Sequence, residues 1–179
     1  MDKEEIREKA LQDTRQGLEE IDKIKLLMKA VETLDRIQNN QQKQMESFRD
    51  WYAVHFPELE REIEDDKQLL RVLNSKGLER GELDAFEQLR EDSTGMSLER
   101  KDTEILESFV TSLQSQQEFI EELEEYVREI ANEEMSNLSV LLGPVLAARI
   151  VRQAGGLEEV ARKPASTVQM LGAEKALFR

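Results

Sequence analysis

The chain contains no cysteine. That excludes a disulfide framework and thiolate chemistry. A single histidine, His55, excludes a metal site built from Cys and His together. No apolar run approaches the ~20 residues that span a bilayer. The N-terminus, MDKEEIREKA, lacks the apolar core of a signal peptide, so an intracellular protein is the default expectation. Three prolines and eight glycines in 179 residues leave few breaks in the pattern. Aromatic residues make up 5%, and a thick globular core is not expected over most of the chain. No Gly-rich phosphate loop and no nucleophile-base arrangement is present. Glutamate runs such as EELEE (121–125) read as a solvated helix face rather than catalytic carboxylates. No enzyme, no cofactor and no metal is therefore expected.

What is abundant is charge. The net charge is −14 and the pI about 4.7, which makes bare nucleic acid a poor partner for the whole molecule. Ala, Leu, Glu, Lys and Arg make up about half of the residues, a composition of long helices or coiled coils. The charge is unevenly placed. From Ser136 onward three acids (Glu158, Glu159, Glu174) meet six bases (Arg149, Arg152, Arg162, Lys163, Lys175, Arg179). A break near residue 135 divides the chain into two expected modules with different partners: 1–135 and 136–179.

Two stretches repeat apolar residues at alternating steps of three and four. The first is Ile24, Leu27, Val31, Leu34, Gln38, Gln41, Met45, Phe48 and Tyr52. The second is Leu106, Phe109, Leu113, Gln116, Ile120, Leu123, Val127 and Ile130. Such heptad stripes predict an antiparallel coiled coil over about 20–52 and 104–134. Upstream the pattern weakens at Gly17 and Asp13. The connector, about 53–104, is a helical tip, with a turn at Phe56-Pro57 and helical patterns near 58–74 and 79–91. Asn74, Gly77, Gly81 and Ser93-Thr94-Gly95 break it up. Trp51, Tyr52 and Phe56 are expected to form the tip's small core, with His55 a packed turn residue. In an antiparallel pair Gln38 and Gln41 fall opposite Gln116, as a buried polar layer that fixes register.

The tail has another texture. Apolar residues crowd most faces of 138–151, which predicts a buried helix, kinked or begun at Pro144. Gly155-Gly156 reads as a C-cap. Leu157–Ala161 is a short helix, and Pro164 fits the first turn of the next. Gly172 is expected to stop that helix, with another starting at Ala173. Arg149 and Arg152 are expected to pair with acids of their own domain. Lys175 and Arg179, four apart on one helical face, could meet phosphates, although composition alone favours an ordinary solvated face.

The stretch NLSVLLGPVLAARIVRQAGGLEEVARKPASTVQMLGAEKALFR (137–179) resembles the first part of a Nop domain. That domain occurs in the core scaffold protein of box C/D ribonucleoproteins and in a related pre-mRNA splicing factor. GAEKALFR (172–179) matches the family's signature, and FRDWYAVHFPELE (48–60) is similar to its W-Y-x-x-H-F-P-E-L at the coiled-coil tip. The resemblance runs from about residue 20 to 179, and the intact GAEK is closer to the archaeal type of the guide-particle branch. It implies an all-α fold, a long antiparallel coiled coil with a partial helical Nop domain. It also implies a composite partner, a kink-turn guide RNA already carrying its small ribosomal-type protein. In that reading Gln169, Gly172, Ala173, Glu174, Lys175 and Arg179 belong to the RNA and protein surface. The coiled coil pairs two copies, through Ile24, Leu27, Val31 and Leu34 and through Leu106, Phe109, Leu113, Ile120 and Leu123. Fibrillarin, the family's methyltransferase partner, is held by a separate N-terminal domain. Here Met1 leads straight into helix, so fibrillarin is expected only if such a domain exists. The chain also stops inside the Nop-like stretch, so binding of RNA by this chain alone is expected to be weak. The location implied is cytoplasmic for an archaeal source and nucleolar or nuclear for a eukaryotic one. The rival readings are a pre-mRNA splicing scaffold of the same family and a coiled-coil rod with no RNA role.

Overall fold

A computed structural model describes residues 3–83, 86–91 and 93–173. The fold is all-α, and no strand occurs among these residues. Helix α1 is Lys3–Ala53, α2 Pro57–Glu62, α3 Asp66–Lys76, α4 Glu87–Glu91 and α5 Arg100–Glu134. A 3-10 turn, Arg80–Glu82, precedes α4. The tail holds α6 Ser136–Leu142, α7 Pro144–Ala154, α8 Leu157–Ala161 and α9 Ala165–Ala173. No described helix is long and apolar enough to cross a membrane. The scarcity of Gly and Pro explains the length of α1 and α5, which meet no proline and few residues of low helix propensity.

The structure divides into two compact units. One is Ile37–Ile120 and the other combines the residues up to Arg36 with those from Glu121 onward. Both long helices contribute to both units.

In the unit 37–120, α1 and α5 run antiparallel. Phe48 meets Phe109 edge to face at 5.6 Å, and Gln44 meets Gln116, so numbers rise along one helix as they fall along the other. The core holds Phe48, Tyr52, Phe56, Leu59, Leu69, Leu73, Leu106 and Leu113. Each such side chain, fully buried, contributes about 1.5–3 kcal/mol. Tyr52 stacks on Phe48 at 5.7 Å and donates its hydroxyl to the Leu78 carbonyl at 3.1 Å. Arg49 ties α1 to the segment after it. It donates to the Asp66 carboxylate at 2.7 Å and to the carbonyls of Ile63 and Glu64 at 3.0 and 2.8 Å.

The tip closes on a glycine. A Cβ on Gly95 would lie 1.9 Å from the His55 carbonyl oxygen, far inside contact distance, so only glycine lets these two backbones meet. Glu58 fastens the same loop by accepting from the Thr94 amide, the Thr94 hydroxyl and the Ser93 hydroxyl. Those bonds hold its carboxyl down at about 2, with the Thr94 amide contributing most.

In the other unit the helices again run antiparallel, with Lys23 bridging to Glu134 at 2.9 Å. The buried side chains are small or aliphatic: Leu27, Val31, Leu34, Val127, Ala131, Ala147, Ala148, Ile150 and Val151. Helix α7 is the centre of the tail, touching α6, α8 and α9.

Four expectations need correction. Trp51 is 45% exposed; it sits one position off the buried stripe of Phe48 and Tyr52. The polar layer is shifted and half-buried: Gln41 donates to Gln117 at 3.2 Å and to the Leu113 carbonyl at 3.3 Å, while Gln116 donates to Gln44 at 2.8 Å. The stretch 138–151 is not buried throughout: a helix does begin at Pro144, one of the two expected readings, but Val140 and Leu141 on α6 are 85% and 79% exposed. Finally, α9 runs through Gly172 to Ala173, since a glycine inside a helix weakens it without ending it.

Candidate functional site

The expected heptad positions are mostly inside. Leu27, Val31, Leu34, Leu106, Leu113 and Ile120 are buried, and Ile24, Phe109 and Leu123 half-buried. The expected binding residues are split. Gln169 is exposed on α9, and Gly172 and Ala173 are half-buried there. Glu174, Lys175 and Arg179 lie outside the described residues.

Helix α9 starts after Pro164, whose carbonyl accepts from Thr167 and Val168. It rests on α7: a Cβ on Gly172 would touch Ile150 Cδ1 at 3.5 Å, an ordinary contact, so space alone does not demand glycine at 172. Helix α7 ends on Gly155, whose φ of 96° is left-handed and suits a residue without Cβ. On α7 the two arginines three residues apart share one acid. Arg149 Nε donates to Asp35 Oδ1 at 2.9 Å and Arg152 Nη2 to Asp35 Oδ2 at 3.0 Å. Asp35 is buried, with a side chain 8% exposed. A polar group removed from water to this degree is costly unless it is hydrogen-bonded, and both its oxygens are. This corrects the expectation that the two arginines pair with acids of the tail: the acid they share comes from α1. Nearby, Lys29 and Arg36 hold the half-buried Glu32 carboxyl below its ordinary value, the Lys29 hydrogen bond contributing most.

Asp35 is the buried charged residue that sequence reasoning missed. The signal was an acid directly after Leu34, on the buried side of a heptad stripe. The tail also exposes apolar surface, at Val140 and Leu141 and at Met170, 73% exposed.

The unit 37–120 carries an open groove of about 580 Å³ lined by Ile37, Asn40, Gln44, Ser112, Ser115, Gln116 and Phe119. Its amides and hydroxyls can donate and accept hydrogen bonds but offer no acid, base or nucleophile near neutral pH. His55 is buried in the tip, with Nδ1 2.8 Å from the Met96 carbonyl oxygen. Burial pushes its basicity down, as for a packed structural imidazole. Among the described residues no group of three or more His, Asp or Glu could hold a metal ion.

Residues 33–179 match the Nop family, described as "snoRNA binding domain, fibrillarin". Nucleolar protein 56 of Homo sapiens is 33% identical over 171 residues, which cover 86% of this chain and 29% of that protein. A NOP5 family protein of Methanocaldococcus jannaschii is 31% identical over 174 residues, 87% of this chain and 41% of that one. Nucleolar protein 58 of Schizosaccharomyces pombe is 30% identical over 167 residues, 86% of this chain and 33% of that one. The chain therefore spans between 29% and 41% of the length of these relatives.

Proposed function

The chain belongs to the Nop family, and from that premise we propose that it is an assembly scaffold of a box C/D guide RNA-protein particle, not an enzyme. It binds a kink-turn RNA together with the small protein already seated on it. Any methyl transfer resides in fibrillarin, held by a different segment of the scaffold. The observation that carries this reading is the continuous match from residue 33 to 179 to a family described as snoRNA-binding. That match takes in the basic GAEKALFR stretch of an acidic chain. Exposed Val140, Leu141 and Met170 suit a partner that is partly protein, because bare RNA offers little to an aliphatic side chain. Gln169, Gly172, Ala173 and Glu174 are assigned to the composite surface and Lys175 and Arg179 to phosphates. Two copies pair through the heptad helices. In a eukaryote the particle is nucleolar, and in an archaeon it is cytoplasmic.

The test is a gel shift over a salt series. The chain should shift kink-turn RNA carrying the small protein and leave the free RNA unshifted, since its net charge is −14. Lys175→Ala and Arg179→Ala should each weaken the shift and lower the log-log salt slope by about 0.9 per lost phosphate contact. Variants that bind like the parent at every salt concentration refute the phosphate assignment. A chain that ignores the loaded RNA supports the plain rod. Sedimentation equilibrium at micromolar concentration tests the pairing: a species of 20.8 kDa across the range refutes it.

A further inference from the structure

We propose that Asp35 is a positioning residue: held between Arg149 and Arg152, it sets the angle at which the tail presents its binding helix. The tail is attached to the long helices at two separate points. The first is at the end of α5, where the Ser139 hydroxyl donates to the Ala131 carbonyl at 2.9 Å and the Met135 backbone caps α6. The second is Asp35 on α1, which receives Arg149 and Arg152 from α7. Between the two points the chain breaks at Gly143. One attachment leaves a helical module free to swing, whereas two attachments flanking a break hold its direction. Helix α9, with Gln169 exposed, rests on α7, so an angle set at α7 is passed to α9.

The chemistry fits this role better than a contribution to cohesion alone. Aliphatic contacts are non-directional, and those are all that Ala147, Ala148, Ile150 and Val151 on α7's buried face supply. Two charge-assisted bonds to the two oxygens of one carboxylate fix both a distance and a plane. The pairing also joins residues 114 and 117 positions apart, so local helix formation cannot substitute for it. The role in binding rests on the scaffold reading above; the clamp itself does not.

The absence of cysteine makes the test direct. Nitroxide labels on cysteines introduced at Glu122 and Gln169, both exposed and in the same unit, report the angle by pulsed electron resonance. The parent should give one narrow distance. Asp35→Asn, and the pair Arg149→Gln with Arg152→Gln, should broaden or shift it at unchanged helicity. Asp35→Glu should restore much of the narrow peak. A folded Asp35→Asn with the parent's distance overturns the clamp. If Asp35→Asn does not fold, Arg149→Lys, which keeps the charge and loses the planar fork, should give partial broadening, and an unchanged peak overturns the proposal. Unlabelled Asp35→Asn should then bind small-protein-loaded kink-turn RNA about tenfold more weakly, as when the competent orientation falls to about a tenth of the population. Equal binding overturns the positioning role. A parent chain that does not bind removes the scaffold reading instead, and the distance measurement still decides the clamp.

Discussion

The two units solve the same problem, a pair of antiparallel helices with something folded onto it, by different chemistry. The unit 37–120 closes on aromatic rings, Phe48, Tyr52 and Phe56, and still leaves Trp51, Val54, Met96, Ile105 and Phe119 exposed. The unit that carries the tail has a core of alanines and branched aliphatics, relies on a buried carboxylate with two arginines, and keeps Val140, Leu141 and Met170 in water. Large rings fill space without help and make a rigid end. Small residues and a shared charge make a joint that holds a direction and leaves surface for a partner.

Substitutions can break that contrast, the largest effect first. Phe48→Ala removes a ring that is 0% exposed and touches both Tyr52 and Phe109. It should cost about 3–5 kcal/mol by urea unfolding, read in the unit 37–120. A loss under about 1 kcal/mol would mean that the ring core is not what holds the tip. Asp35→Asn should cost about 2 kcal/mol, less than a fully buried pair because the arginines remain partly in water. The loss should not add to that of Arg149→Gln, since both variants break one contact. Gly95→Ala forces the His55 backbone aside and should cost about 1–3 kcal/mol; hydrogen exchange should then rise at Met96, whose amide donates to the Val54 carbonyl.

Acid should separate the units further. His55 is less basic folded than unfolded, so its contribution is complete above its ordinary value of 6.5 and is lost as pH falls below it. Glu58 is more acidic when folded, about 2 against 4.5, so its contribution is present above 4.5 and fades towards 2. Both lie in the tip. Melting of the parent and of His55→Gln should diverge between pH 7 and 5; parallel curves would mean that the imidazole is not buried neutral. The smallest effect on stability should come from Val140→Ser and Leu141→Ser, within about 0.5 kcal/mol. Their effect should appear in partner binding, and a large loss of stability would place these side chains in a core.

Much of this fold was legible in the sequence, and the exceptions share a cause. Steps of three and four located Leu27, Val31, Leu34, Leu106 and Leu113 on the inner faces, and Leu157–Ala161 was readable from its flanking glycines and Pro164. Heptad spacing reports which side of a helix is apolar, and it cannot say how far the neighbouring position turns toward water, so Trp51 was misplaced. It fixes the pairing of helices only to within a step, so Gln116 was matched with Gln38 and Gln41 when it meets Gln44. Asp35 was invisible for a stronger reason. An acid beside an apolar stripe is ordinarily solvated, and what keeps this one inside is a pair of arginines more than a hundred residues away. The candidate site rests on its motif alone: Gln169 is exposed on α9, and the basic residues of GAEKALFR lie outside the described residues.

The scaffold proposed above would recognise RNA and protein jointly. Isothermal titration of the chain into three samples tests it most directly: kink-turn RNA alone, the small kink-turn protein alone, and the two assembled. The account predicts saturable heat for the assembled sample and weak or no heat for either component. Equal binding to free RNA, or no binding to the assembled particle, would contradict it.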